Sequence, residues 1–153
     1  MFAVNMLKLA STYAKLMSGC LKVQVGCVIA RDNKILALGA NRTILNLCKT
    51  SRGCLRVEKY GENTKDHRNP EDCRAIHSEI DAICNSQGNL YGATMYITRY
   101  PCEACARAIV AAGIKRVVYG REQPISPETA RIFEHYNVEV THRWKFTEED
   151  VNY

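Results

Sequence analysis

The stretches His77–Ile83, "HSEIDAI", and Arg99–Ile109, "RYPCEACARAI", decide how this 153-residue chain is organised. Each places metal-binding side chains at the expected start of a helix. A catalytic zinc ion takes three protein ligands and keeps a fourth position for water, and His77, Cys102 and Cys105 would form such a set. Positions i and i+3 of a helix share one face, so the two cysteines can present their thiolates to one ion.

The positions of these residues at helix starts also favour metal chemistry. Pro101 places both cysteines at an N-terminus, where the helix dipole and unpaired backbone N–H groups favour a thiolate over a thiol. His77 stands at the start of a second helix, directly after an irregular segment. Glu79 follows two residues later, close enough to take a proton from a water on the metal and return it to a leaving nitrogen.

Each half of this pattern has other interpretations. A lone Cys-x-x-Cys motif is also found in structural zinc sites and redox pairs, or occurs by chance, and a lone His-x-Glu carries almost no information. The two halves together, in this order and both at helix starts, favour a catalytic zinc site over a structural one.

The rest of the chain predicts alternating helices and strands. Apolar residues recur at helical spacing over 1–18, and two β-rich runs at 22–30 and 34–40 flank a short polar turn, which predicts an antiparallel hairpin. Further helices are expected at 78–87, from Pro101 to about 113, and at 126–136, where Ser126 is the expected N-cap. Further strands are expected at 93–98, 115–120 and 138–142.

This order predicts an α/β fold, a three-layer α/β/α arrangement around a five-stranded mixed sheet. The last two strands have a whole helix between them, so they can be parallel neighbours joined by a crossover. We expect a single domain over 1–153 with an irregular insert at about 42–75. The insert contains three cysteines, which favour an ordered loop.

Composition excludes several classes of protein. The apolar runs are too short to cross a bilayer, and Lys8 and Lys15 interrupt the N-terminal apolar residues, which predicts a cytoplasmic protein with no membrane partner. Eight cysteines then indicate metal ligands or buried thiols. The net charge of +5 is scattered and fits either solubility or attraction of a phosphorylated substrate. Without a basic run interleaved with aromatic residues, nucleic acid is not an expected partner.

The two motifs resemble the signature of zinc-dependent nucleoside and nucleotide deaminases, H-x-E followed by P-C-x-x-C. The resemblance covers about 1–142, and implies that the histidine and both cysteines bind zinc while Glu79 shuttles protons. Within this superfamily the stretch "VGCVIARDNKILALGAN" at 25–41 and the zinc motifs are most similar to deoxycytidylate deaminases. This implies a cytidine deaminase-like fold and hydrolysis of dCMP to dUMP with release of ammonia.

The resemblance also suggests substrate contacts. The family's asparagine at the position of Asn41 contacts the sugar, although a turn-forming role stays open. Lys22, Arg42 and Arg99 are candidate phosphate donors, because each lies near the end of a predicted strand. Tyr100 is a candidate to stack near the base, with packing as the alternative.

The family resemblance further implies a homo-oligomer, expected to be a hexamer. Family members usually follow the asparagine with a Gly-x-Pro-x-Gly loop, often tied to regulation by deoxynucleoside triphosphates, but here the sequence reads Arg-Thr-Ile-Leu at 42–45. Regulation by dCTP or dTTP therefore stays open. The commoner His-Ala-Glu is His-Ser-Glu here, which should leave the ligand geometry intact.

A second, structural zinc is also expected from the resemblance. Cys20, Cys48 and His67 stand at places comparable to structural zinc ligands in several family members, and Cys73 is the favoured fourth ligand with Cys54 as the alternative. A closed site of four N or S ligands would stabilise an insert that lacks a core of its own.

Other functions remain open at this point. A tRNA deaminase or another nucleobase deaminase would share the zinc and the glutamate, but a tRNA enzyme needs a basic surface. A non-catalytic zinc-stabilised binding protein would have no need of Glu79 as a proton shuttle. The sequence also leaves the choice among dCMP, dCTP and cytidine undecided.

Overall fold

A computed structural model describes residues 1–20, 22–43, 48, 54–61, 72–121 and 126–143. The helices are α1 (Phe2–Met17), α2 (Leu55–Tyr60), α3 (Ser78–Asn85), α4 (Glu103–Ala111) and α5 (Pro127–His135). The strands are β1 (Gly26–Arg31), β2 (Lys34–Ala40), β3 (Thr94–Arg99), β4 (Arg116–Arg121) and β5 (Glu139–His142). None of the described helices is long and apolar enough to cross a bilayer.

The five strands form one mixed sheet in the order β2-β1-β3-β4-β5. Strand β1 is antiparallel to both of its neighbours, whereas β3, β4 and β5 run parallel. The parallel pairs follow from the helices α4 and α5 that connect them, because a parallel neighbour needs a crossover connection. The predicted five-stranded mixed sheet and the parallel pairing of its last two strands are confirmed.

The hairpin between β1 and β2 turns through Asp32 and Asn33. Their φ angles are 51° and 61°, a left-handed conformation that Asp and Asn tolerate better than most residues and that a two-residue hairpin turn requires. The first strand is shorter than predicted and begins at Gly26 rather than residue 22. Gly26 lies opposite Ala40, the last residue of β2, so the regular ladder starts where its partner ends.

Helices cover both faces of the sheet, which completes the predicted three layers. Helix α1 packs on one face against Val28, Tyr96 and Val118, while α3, α4 and α5 cover the other face around Ile97 and Val117. The contact between β2 and α3 is especially close. A Cβ atom on Gly39 would lie 2.1 Å from the backbone oxygen of Ser78, so α3 rests directly on the strand.

The insert contains a helix that the sequence pattern does not predict. Helix α2 has six residues, too few for a hydrophobic period to be recognised. Asp72 is 4% exposed and holds the helix through an ion pair with Lys59 and a hydrogen bond from the hydroxyl of Tyr60 at 2.7 Å. Arg74 adds an ion pair with Glu58 at 2.8 Å. The described part of the insert is therefore ordered by polar contacts.

Candidate metal centre and active site

Three predicted ligands converge between the N-termini of α3 and α4. The Nδ1 atom of His77 lies 3.5 Å from the Sγ atom of Cys102 and 3.3 Å from that of Cys105. Tetrahedral zinc, with bonds of about 2.0–2.1 Å to nitrogen and 2.3 Å to sulfur, would separate such N and S donors by about 3.6 Å. Among the described residues, no other group of three His, Cys, Asp or Glu donors lies within 4.8 Å of one another. The set therefore fits a zinc ion.

Two of the ligands are the residues that precede the helices. His77 is the N-cap of α3 and Cys102 is the N-cap of α4, both with extended backbone, and neither side chain caps its own helix. Their carbonyl oxygens instead accept the first intrahelical bonds, from Asp81 at 2.9 Å and Ala106 at 2.8 Å. The imidazole and the thiol are thus left to face each other, as the predicted helix starts require.

The two thiols differ in protonation before metal binds. Contact with Cys105 lowers the pKa of Cys102 to about 4, and the hydrogen bond with His77 acts in the same direction against burial. The same contact, together with burial, raises the pKa of Cys105. One thiolate thus accepts a hydrogen bond from the other thiol. Binding of zinc must release the remaining proton, so the metal affinity of this pair should increase with pH.

Glu79 lies beside this metal centre, on the first turn of α3. It is 4% exposed and accepts a hydrogen bond of 3.0 Å from the hydroxyl of Ser78. Burial raises the pKa of its carboxyl group, and the neighbouring His77 imidazole partly opposes this shift. A buried carboxyl group with a raised pKa is suited to hold a proton and pass it on in general acid–base catalysis. The structure therefore brings together all four residues that the motifs predict.

Comparison with known proteins supports the same reading of the site. Residues 2–121 match the family described as the cytidine and deoxycytidylate deaminase zinc-binding region. The chain belongs to this family. The resemblance recognised from the zinc motifs is thereby confirmed, and zinc is the cofactor that the family and the three donors share.

Several relatives in this deaminase family are named deoxycytidylate deaminase. The protein from Saccharomyces cerevisiae is 34% identical over 146 residues, which cover 94% of this chain and 45% of the relative. ComE operon protein 2 of Bacillus subtilis is 35% identical, over 82% of this chain and 62% of its own length. The deoxycytidylate deaminase of Mycobacterium phage D29 is 34% identical, over 73% of this chain and 89% of its own length. The chain thus spans less than two thirds of the first two relatives.

A solved member of the family has the same architecture. The dCMP deaminase of cyanophage S-TIM5, in complex with dCMP and dUMP, is 25% identical to this chain with a TM-score of 0.70. The match covers 92% of this chain and 95% of the cyanophage enzyme. The predicted cytidine deaminase-like fold is therefore confirmed.

The side chain of Asn41, at the family position expected to contact the sugar, forms hydrogen bonds with the segment before β1. Its Oδ1 atom accepts hydrogen bonds from the hydroxyl of Ser18 at 2.6 Å and from the backbone N–H of Val25 at 2.8 Å. Its Nδ2 atom donates to the carbonyl of Val23 at 2.7 Å. These contacts tie the end of β2 to the segment before β1, and the sugar contact stays a prediction that would use the second N–H of the amide.

Tyr100 lies in the core. It is 5% exposed and packs edge-on against Tyr119, with ring centroids 4.9 Å apart, and against Phe133 at 6.4 Å. These contacts fit the packing alternative, and stacking near the base stays a prediction. A strand-end aromatic residue gives no local signal that separates the two roles.

The candidate phosphate donors occupy different environments. Lys22 is exposed shortly before β1. Arg42 forms an ion pair with Asp81 in the first turn of α3. Arg99 ends β3 and lies in register with Arg121, which ends the parallel strand β4. Arg121 was not among the predicted donors, although it also stands at the end of a predicted strand.

The ligands expected for a second zinc are partly described. Cys48 is 8% exposed, and its pKa is raised by burial and then by the neighbouring thiols of Cys73, Cys20 and Cys54. Three other thiols are therefore near enough to influence Cys48, although no three of the described donors here lie within 4.8 Å of one another. His67, the other expected ligand, lies outside the described residues.

Proposed function

We propose that this protein hydrolyses dCMP to dUMP and ammonia. The observation that carries the proposal is the buried carboxyl group of Glu79 beside a three-donor zinc site that lies between two helix N-termini. The names of the yeast and phage relatives, and the cyanophage enzyme solved with dCMP and dUMP, support dCMP as the substrate.

In this mechanism the protein supplies proton transfer at defined atoms. Zinc, when bound by His77, Cys102 and Cys105, supplies the Lewis acidity that makes water a nucleophile near neutral pH. Glu79 accepts a proton from the water that attacks C4 of the pyrimidine and protonates N3. It then carries a proton to the amino group, which leaves C4 as ammonia. Burial keeps the carboxyl group away from bulk water and maintains its raised pKa.

We assign the phosphate to the end of the parallel strands. In open α/β sheets, ligands bind beyond the carboxyl ends of the strands, where Arg99 and Arg121 lie side by side. Each follows by two residues a core side chain on the face covered by α4, Ile97 in β3 and Tyr119 in β4. Both guanidinium groups therefore start from the face that carries the zinc ligands. Lys22 remains a further candidate.

Ammonia release from dCMP tests the proposal directly. The zinc-loaded protein should deaminate dCMP, while Glu79→Gln should retain zinc and lose activity. Cytidine, dCTP, dAMP and tRNA serve as competing substrates. Deamination of tRNA or a purine nucleotide in place of dCMP would contradict the assignment, and no ammonia from any of them would favour a binding protein.

The phosphate assignment needs a separate comparison. Arg99→Gln and Arg121→Gln should raise the KM for dCMP and leave kinetics with deoxycytidine, which lacks the phosphate, unchanged. An equal effect of either substitution on both substrates would remove that arginine from the phosphate site.

We also propose the second, structural zinc. Cys20, Cys48 and His67 would contribute ligands, with Cys73 favoured over Cys54 as the fourth, and the electrostatic influence of three other thiols on Cys48 supports the proposal. Metal analysis should give close to two zinc ions per chain, falling towards one in Cys48→Ala and in His67→Ala. Cys84→Ala, which removes an exposed thiol of α3, is the matched control. One zinc ion in the fully loaded wild-type protein would refute the second site.

Assembly, regulation and location remain proposals from the family resemblance and from the sequence. We propose a homo-oligomer, expected to be a hexamer, that acts in the cytoplasm as a single domain over 1–153. Sedimentation at micromolar concentration tests the assembly, and a fully active monomer would contradict it. Initial rates with dCTP or dTTP added to dCMP test whether either nucleotide is an effector.

A further inference from the structure

Arg42 contacts both ends of the segment that carries His77 and Glu79. Its backbone pairs with Ile76, the residue before His77, through two hydrogen bonds of 3.1 Å and 2.7 Å. Its guanidinium group reaches Asp81 on the other side of Glu79, with Nε donating to Oδ1 at 3.1 Å and a second nitrogen contacting the same oxygen. One residue, two positions beyond the end of β2, therefore holds the segment from 76 to 81.

Asp81 is a buried carboxylate with all of its partners in place. It is 5% exposed, and its Oδ2 atom accepts a hydrogen bond of 3.0 Å from the backbone N–H of Ala40. Its Oδ1 atom accepts from the side-chain amide of Asn85 at 3.0 Å as well as from Arg42. A buried charge is tolerated only when it is paired and hydrogen-bonded in this way. Asp81 thus ties the first turn of α3 to the last residues of β2.

These contacts determine how the catalytic side chains are held. Glu79 and His77 lie between the two attachment points, so a rotation or shift of this turn would move both. A misplacement of about 1 Å in a catalytic group can lower the rate about 100-fold. The side chain of Arg42 is 38% exposed, so it bridges the buried carboxylate and the surface.

We propose that Arg42 and Asp81 are positioning residues that hold Glu79 and His77 in the geometry needed for deamination. This inference rests on the proposed function for its substrate. It assigns Arg42 a role in kcat, in place of the phosphate contact that its position at a strand end first indicated.

The two roles of Arg42 predict different kinetics. As a positioning pair, Arg42→Gln and Asp81→Asn should each lower kcat by about 10- to 100-fold with little change in the KM for dCMP. The kcat of the double variant should be no lower than that of the more impaired single variant, because either substitution alone breaks the contact between Arg42 and Asp81. The relative losses should be equal for dCMP and deoxycytidine. Arg42→Lys, which keeps the charge but loses the planar fork, should recover part of kcat.

A spectroscopic readout separates positioning from a general loss of stability. Cobalt replaces zinc in the metal-stripped protein, and its visible absorption reports the geometry of the ligands. The spectrum should shift in Arg42→Gln and Asp81→Asn. It should be unchanged in Arg116→Gln, which breaks an exposed ion pair with Glu139 at the opposite end of the sheet. Arg116→Gln should also retain the wild-type kcat.

Two results would overturn the proposal. One is a higher KM for dCMP, but not for deoxycytidine, in Arg42→Gln alone, which would assign Arg42 to phosphate binding. The other is a wild-type kcat and cobalt spectrum in Asp81→Asn. If the wild-type protein deaminates a substrate other than dCMP, the proposed substrate fails, and the same comparison with that substrate still tests the pair. If the wild-type protein deaminates no substrate, the cobalt spectra of Arg42→Gln and Asp81→Asn test whether the pair positions the metal ligands.

Discussion

Replacing Gly39 with alanine should separate the geometry of the active site from the stability of the fold. The added Cβ atom would lie 2.1 Å from the backbone oxygen of Ser78 and 2.6 Å from the backbone nitrogen of Ala82, both in α3. An ordinary contact begins at 3.4 Å, so α3 would have to retreat by about 1.3 Å if it alone moved. Neither neighbour is the end of a flexible side chain, so the helix itself must give way.

The expected magnitudes follow from this displacement. Overpacking of this kind costs about 1–3 kcal/mol, which corresponds to a fall in Tm of about 2–12 °C for a chain of this size. Because Glu79 moves with α3, kcat of the folded protein should fall about 100-fold. Gly26→Ala is the matched control. Its Cβ would lie 1.9 Å from the backbone oxygen of Ala10 in α1, on the face of the sheet away from the zinc ligands.

Thermal unfolding and kcat, measured on zinc-loaded protein below the transition, provide the assay. Both alanine variants should show a lower Tm, but only Gly39→Ala should lose kcat. A Gly39→Ala variant with the wild-type kcat would refute the view that contact between β2 and α3 sets the position of Glu79. An equal loss of kcat in Gly26→Ala would refute it as well.

Three further predictions concern single side chains. Cys102→Ala should lose both zinc and activity, as metal analysis and ammonia release would show, and full activity after removal of all metal would contradict the mechanism. Metal-free Glu79→Gln should unfold at a higher temperature than wild type above about pH 4.3, because burial raises the carboxyl pKa and its stabilising contribution is lost as pH rises through the folded value. Hydrogen bonds from Lys59 and Tyr60 lower the pKa of Asp72, so that its contribution is present above about pH 4 and lost as pH falls through the folded value. Asp72→Asn should therefore lower the Tm at pH 7 but not at the acid end of a Tm–pH series, and an equal deficit at every pH would argue against the ion pair.

Features encoded by nearby residues were predictable from the sequence. The spacing of Cys102 and Cys105 places both on one helix face, and Pro101 marks where that helix begins. The N-cap at Ser126 was also predicted, and its hydroxyl accepts a hydrogen bond from the backbone N–H of Glu128 at 3.2 Å. In each case the interacting residues lie within one helical turn, so their spacing in the sequence already determines the contact.

Features that depend on distant residues were not predictable. Arg42 and Asp81 are separated by 39 positions, and no local pattern relates them. The packing of Tyr100 involves Tyr119 and Phe133, which the fold brings to it. Helix α2 is too short for a period and is held by Asp72 from outside the helix. All three depend on tertiary packing.

The backbone bridge between Arg42 and Ile76 also sets the two ends of the insert side by side. The chain leaves the core at one of these residues and returns at the other, so the bridge closes the insert at its base. The free energy of closing a loop changes by only about 0.6 kcal/mol for each doubling of its length. A change in the length of the insert should therefore alter the free energy of closing it only slightly, while the bridge keeps both of its ends beside the start of α3.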